Sequence, residues 1–313
     1  ACTRKQEVWI YTSLTTDVIA ELVGPLEAGV PEASVKWFQS GVESVSSRIE
    51  KEHEEKELRA DLVLISDPFW YLEGKKQGRF QPYESPAARE VSALWKDADA
   101  HFATVRIPMT VLAYTGRELL GTTHRPKWDE LLDARWRKKA SMPSPYDSAP
   151  AFMVLGVLSR LYGWSFFSSL RRQGLVAEGT VTSVLSRLES GERPLGILPL
   201  DTIFRARVKN PAIHPIFPSD GAIPVPCPVA LLKDSPHPAA ARKVYDWLYS
   251  KEAQTVFVNG GAHSPLPGFK APAGAPGFPE IFGDQVKWET GSLAELLSNR
   301  DRIRGKFSEI ILR

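Results

Sequence analysis

Hydroxyl, carboxylate and glycine residues gather where a predicted strand gives way to a predicted helix, and such groups bind ligands more readily than they abstract protons. The fullest instance is Lys127 to Phe152, KWDELLDARWRKKASMPSPYDSAPAF. Trp128, Leu131 and Leu132 repeat at helical spacing, while Asp129, Glu130 and Asp133 are left to face water. A basic run of Arg135, Arg137, Lys138 and Lys139 leads into a brief strand, Ala140 to Met142. Pro143 and Pro145 then force an extended turn, because a residue before proline is pushed out of the α region. Pro150 suits the first turn of a helix over 151–162, where its missing N–H costs nothing. Strand, turn, hydroxyl, helix start is the order that offers backbone N–H groups to an anion. Tyr146, Asp147, Ser148 and Ala149 are therefore candidate ligand residues.

The same order recurs nearer the N-terminus. A strand over 8–13 ends in Ser13, with Thr15, Thr16 and Asp17 opening a helix through Leu22. Strand ends before helices are where open α/β sheets bind ligands. Ser13, Thr15 and Thr16 are candidates, with a plain helix cap as the competing reading. A second strand, Val35 to Gln39, precedes Ser40-Gly41-Val42-Glu43, which fits a capping box opening a helix to about Leu58. A capping glutamate competes with an anionic ligand for the same N–H groups, but Gly41 permits close approach to the backbone. A third strand, Ala60 to Asp67, ends in an aspartate that either accepts from ligand hydroxyls or caps the helix holding Phe69, Trp70 and Leu72.

The 313 residues suffice for two domains. A charge of +2 and a pI near 8.5 imply no nucleic-acid partner. The two cysteines, Cys2 and Cys227, exclude a disulfide scaffold and zinc-ligand pairs. Ala1-Cys2 reads as the remnant of a lipoprotein signal, with Cys2 as lipid attachment point. No run approaches the ~20 apolar residues of a membrane crossing. G-x-S-x-G, H-E-x-x-H, C-x-x-C, P-loop and G-x-G-x-x-G motifs are absent, so an enzyme is not expected.

The phrase W-D-E-L-L-D-x-x-W-x-x-K from Trp128, followed by a strand, M-P-S-P and a hydroxyl, resembles the periplasmic solute-binding proteins of ABC importers. The subgroup is that of ferric-ion, phosphonate and sugar-phosphate binders. Further matches are Ala60-Asp61 through Ser66-Asp67 with Gln77-Gly78 to Ser85-Pro86, Asp220-Gly221-x-x-Pro224, and S-x-E-A-Q from Ser250. The resemblance implies an α/β, two-lobed periplasmic-binding-protein fold, type II-like, with two crossover strands as hinge. It suggests lobe 1 over 1–104 and 226–275, lobe 2 over 105–225, and a helical C-terminal segment over 276–313. The crossovers would be Ala103 to Thr115 and the strand Asp220 to Leu232. A small anionic ligand would lie between the lobes, where Arg106 could reach it.

Iron-binding members carry adjacent tyrosines after the strand that here ends at Pro199; this chain has Leu200-Asp201-Thr202. Phenolates suit a hard ferric ion, so no metal is expected, and Asp201 becomes an acceptor for a ligand hydroxyl. His263 is expected as a surface-loop residue, with phosphate contact as the alternative. The function implied is capture of a sugar phosphate, inositol phosphate or phosphonate by a periplasmic or envelope-bound monomer that delivers to ABC permease subunits, without cofactor. The alternatives are a metal-ion binder lacking the tyrosine pair, a phosphate-ester hydrolase and a ligand sensor.

Overall fold

The computed structural model describes residues 5–116, 126–177, 179–281, 288 and 291–312. Cys2 lies outside them. In chain order the elements begin with β1 (Gln6–Thr12), α1 (Thr16–Gly29), β2 (Ala33–Gln39), α2 (Val42–Glu54), β3 (Leu62–Leu64) and α3 (Pro68–Lys76). There follow β4 (Ala103–Thr115), β5 (Ala140–Met142), α4 (Ala149–Tyr162), α5 (Trp164–Arg172), β6 (Val176–Ala177) and α6 (Val181–Glu189). Next come β7 (Leu195–Pro199), α7 (Leu200–Lys209), β8 (Ile213–Ile216), β9 (Ile223–Pro224), β10 (Cys227–Leu231) and α8 (Pro238–Trp247). The last are α9 (Lys251–Asn259), β11 (Ala262–His263), α10 (Phe278–Ile281), α11 (Ser292–Ser298) and α12 (Arg300–Phe307). Among the described residues no single helix is long and apolar enough to cross a membrane.

The chain forms two compact units. Unit 1 is Ala1–Ile107 with Pro226–Lys270, and unit 2 is Pro108–Val225 with Ala271–Arg313. In unit 1, β2, β1 and β3 run parallel, β10 lies antiparallel to β3, and the first half of β4 pairs with β10. Buried parallel strands read as near-continuous apolar runs, and Leu62, Val63 and Leu64 fit that rule. Tyr11, Trp70, Tyr71, Phe80 and Phe102 share one apolar cluster. The Tyr71 hydroxyl accepts from Ile65 N–H (3.0 Å) and donates to Pro228 C=O (2.7 Å), so this buried phenol is not left as an orphaned polar group.

In unit 2, β5 runs parallel to β6 and β7, while β4 is antiparallel to β7, β8 and β9. Trp128 is fully buried; its indole donates to Gly221 C=O (2.7 Å) and its backbone N–H to the Asp220 carboxylate (3.2 Å). The Tyr162 hydroxyl also donates to Asp220. Burial raises the Asp220 pKa, and the Tyr162 and Trp128 hydrogen bonds only partly offset it. The C-terminal helices belong to this unit: Phe307 meets Phe167 edge-on, and Leu296 packs against Gly156, where an added Cβ would approach within 2.4 Å.

Several elements differ from the sequence reading. The helix at Trp128 is a 3-10 turn, Trp128–Leu132. α2 stops at Glu54 rather than near Leu58, since Lys56 takes a left-handed φ of 56° and Arg59 N–H bonds back to Glu52. The expected strand from Asp220 to Leu232 divides into β9 and β10 because Pro224, Pro226 and Pro228 remove ladder donors. The register shifts between Cys227 and Pro228. His263 is no surface-loop residue: it is 2% exposed, in a short strand paired with β4.

Candidate functional site

The C-terminal ends of the parallel strands in unit 1 converge, and three helices start there. Ser13 ties two of these ends together: its N–H donates to Leu64 C=O (3.1 Å), and its hydroxyl accepts from Ser66 N–H (3.0 Å). Ser66 Oγ also accepts from the buried Cys227 thiol (3.3 Å). Ser40 N–H donates to Thr12 C=O (3.1 Å), which holds the start of α2 beside the end of β1. The helix starts differ in one respect. Asp67 caps α3, its Oδ1 accepting from Phe69 N–H (3.0 Å) and Trp70 N–H (3.3 Å). Thr15 and Gly41, the residues ahead of α1 and α2, make no side-chain cap. The capping box read at Ser40 and Glu43 is therefore not formed: α2 begins one residue later, with Gly41 in the cap position. The first N–H groups of α1 and α2 have no intrahelical acceptor. The Thr15 hydroxyl is buried without a hydrogen-bond partner, and a Cβ on Gly41 would meet nothing within 4 Å. Thr16 is exposed.

Unit 2 treats its helix starts otherwise. Ser148 caps α4, accepting from Ala151 N–H (3.3 Å), and Pro150 has no N–H, which leaves Ala149 as the remaining donor of that turn. Thr180 and Ser183 form a capping box on α6. At α7, Asp201 is 9% exposed and takes Thr202 N–H (2.8 Å) onto its own carboxylate, with Arg205 3.8 Å away. Tyr146 is 43% exposed, yet its hydroxyl donates to Arg304 C=O (2.8 Å) and its ring lies 5.4 Å from the Arg304 guanidinium. Arg304 Nε also donates to Pro145 C=O (3.0 Å). Asp147 is exposed. Arg106, on the buried part of β4 in unit 1, sits in register with Cys227.

Residues 59–288 match the sequence family of bacterial extracellular solute-binding proteins. The chain belongs to that family. A Sinorhizobium fredii protein named "Probable ABC transporter periplasmic-binding protein y4fP" is 24% identical over 214 residues, 65% of this chain and 60% of that protein. The chain thus matches about 60% of that relative's length. The fold is that of iron-bound HitA from Pseudomonas aeruginosa, with a TM-score of 0.79, 16% identity and coverage of 95% of this chain and 99% of that one. It is equally that of AfuA from Actinobacillus pleuropneumoniae with fructose-6-phosphate bound, at 0.79, 18%, 98% and 99%.

Two other places among the described residues gather polar groups. Asp97, Asp99 and His101 are close enough to share an ion, but the Lys75 ammonium already lies 2.6 and 2.5 Å from the two carboxylates. A recess of about 230 Å³ beside Tyr83, Ser85, Arg89, Lys96 and Tyr245 is lined by groups that satisfy one another. Asp246 there accepts from Tyr83 and Ser85, and burial followed by that bond pushes the Tyr83 phenol up to about 12. Sequence reasoning passed over Arg304 of α12, which acts across 158 residues of chain, beyond any local pattern.

Proposed function

We propose that this protein is the substrate-binding component of an ABC importer and captures a phosphorylated polyol. The observation that carries the reading is the pair of uncapped helix starts, α1 and α2, on adjacent parallel strands of unit 1. Helix N-termini favour anions through both their N–H groups and their dipole. The unpartnered Thr15 hydroxyl and the open space over Gly41 suit close approach of phosphate oxygens. Asp17 and Glu43 occupy the same first turns. Their charge repels a bare multivalent anion while their oxygens accept from ligand hydroxyls, which favours a sugar or inositol phosphate over inorganic phosphate.

The absence of a tyrosine pair after β7 counts against ferric ion, although HitA is iron-bound. The protein acts as a monomer in the periplasm, releases its ligand unchanged, and docks on permease subunits in the inner membrane; lipid attachment at Cys2 would tether it to the envelope.

A thermal-shift panel tests the reading with fructose 6-phosphate, inositol phosphates, 2-aminoethylphosphonate, phosphate, unphosphorylated sugars and ferric citrate. At ~100 times its Kd, a ligand binding only the folded state adds about 2.7 kcal/mol. A rise with a phosphorylated polyol, absent with its parent sugar, is the expected result. A rise with ferric citrate alone would overturn the ligand class. Release of phosphate from a chromogenic ester would overturn the non-enzymatic role.

A further inference from the structure

Three segments of unit 2 bring basic side chains to the N-terminal ends of β5 and β7, opposite to the ends where α4 and α7 begin. Lys138 N–H donates to Gln173 C=O (2.7 Å), joining the run before β5 to the end of α5. Leu195 N–H donates to Lys139 C=O (3.2 Å), and Arg193 Nη1 to Gly174 C=O (2.9 Å), joining both to the turn before β7. The assembled patch carries Arg137, Lys138, Lys139, Arg172 and Arg193; all but the half-buried Arg193 are exposed. Among the described residues none of these cations makes an ion pair with a carboxylate. The acids of the same segments are largely committed elsewhere: Glu130 and Asp133 pair with Arg135, and Glu192 lies 3.9 Å from Arg187. Among the described residues Asp129 and Glu189, both exposed, have no such pairing. In a chain whose net charge is +2, this concentrates uncompensated positive charge at one end of one unit.

We propose that this end of unit 2 binds the surface of an anionic phospholipid bilayer. Exposed cations match a fluid, charged surface, which needs no fixed complementary shape. A nucleic-acid strand would need aromatic stacking platforms, and Trp136, the aromatic residue of the basic run, is 1% exposed. The strand ends that carry α4 and α7 point away from the patch along the same sheet, so a bilayer seated here leaves them uncovered.

Co-sedimentation with vesicles of equal parts phosphatidylglycerol and phosphatidylcholine tests the proposal, with pure phosphatidylcholine as comparison. Binding is expected only to the anionic vesicles and only at low salt, because screening removes attraction between exposed charges. The Arg137→Gln/Lys138→Gln/Lys139→Gln variant should lower the partition coefficient on the order of 100-fold, since each charge near the surface contributes roughly a fivefold factor. Should that variant melt early, Arg172→Gln alone should lower partitioning roughly fivefold. The variant Lys36→Gln/Lys51→Gln/Lys56→Gln, which removes equal charge from unit 1, should leave binding unchanged. Equal loss in the two triple variants, or no dependence on phosphatidylglycerol in the native protein, would overturn the proposal. So would binding of a polyanion such as heparin without binding to vesicles.

Discussion

The two units share a design, parallel strands feeding helices, yet they finish it in opposite ways. Of the three helices that follow β1, β2 and β3 in unit 1, only α3 is capped by a side chain, through Asp67, while α1 and α2 start from Thr15 and Gly41 with none. In unit 2 Ser148, the Thr180–Ser183 pair and Asp201 each spend an oxygen or hydroxyl on the first turn of their own helix. A carboxylate or hydroxyl at that position does for the helix what an anionic ligand would otherwise do. The comparison separates helix starts satisfied by their own side chains from helix starts without a side-chain cap. Arg304 of the C-terminal helix binds Pro145 and Tyr146 just ahead of α4, one of the first kind.

Five changes break or sharpen that contrast. The largest effect is expected from Gly41→Asp. Gly41 has φ −62° and ψ 157° with nothing within 4 Å of a Cβ, so an aspartate fits and caps α2. Stability should rise by a few tenths of a kcal/mol. Affinity for a phosphorylated polyol should fall on the order of 10–100-fold, as charge-assisted hydrogen bonds are replaced by repulsion; calorimetric titration reads the affinity and denaturant unfolding the stability. Ser148→Ala should do the reverse, costing about 1 kcal/mol in denaturant unfolding while changing affinity little.

One aspartate from each unit contributes a pH dependence of opposite sign. Burial alone would raise the Asp97 pKa in unit 1, but hydrogen bonds from Lys75 and His101 hold it below the ordinary carboxylate range. Its contribution to stability is therefore full above the unfolded pKa and lost as pH falls through the folded one. Asp220 in unit 2 is raised by burial, so its contribution is present below the unfolded pKa and lost as pH rises through the folded value. Asp97→Asn should flatten the acid side of a melting-temperature profile, whereas Asp220→Asn should remove a decline on the rising side. The smallest effect is expected from Arg304→Ala, which loses the guanidinium bonds to the Pro145 and Tyr146 carbonyls and should raise amide exchange in the turn over 143–148 before it moves the melting temperature.

Much of the fold was legible because period and punctuation agree. The apolar run from Ala103 to Thr115 forms β4 over those same residues, and Pro150 marks the first turn of α4. Asp67 carried two readings, ligand acceptor or cap, and its hydrogen bonds to Phe69 and Trp70 realise the second. What sequence could not show is which hydroxyls are spent on their own helices. Ser40 and Ser148 look alike beside their strand ends, but a shift of one residue at Gly41 leaves the first without a capping role. His263 was misjudged because the loop pattern around Pro265 and Pro267 hides two residues that pair with β4.

The most direct test is an amide chemical-shift titration of the native protein with fructose 6-phosphate and, separately, with fructose. The account predicts phosphate-dependent shifts at Thr16, Asp17, Val42 and Glu43, larger than any at Ala149, Ala151 or Thr202. Shifts confined to the starts of α4 and α7, with α1 and α2 unmoved, would contradict it.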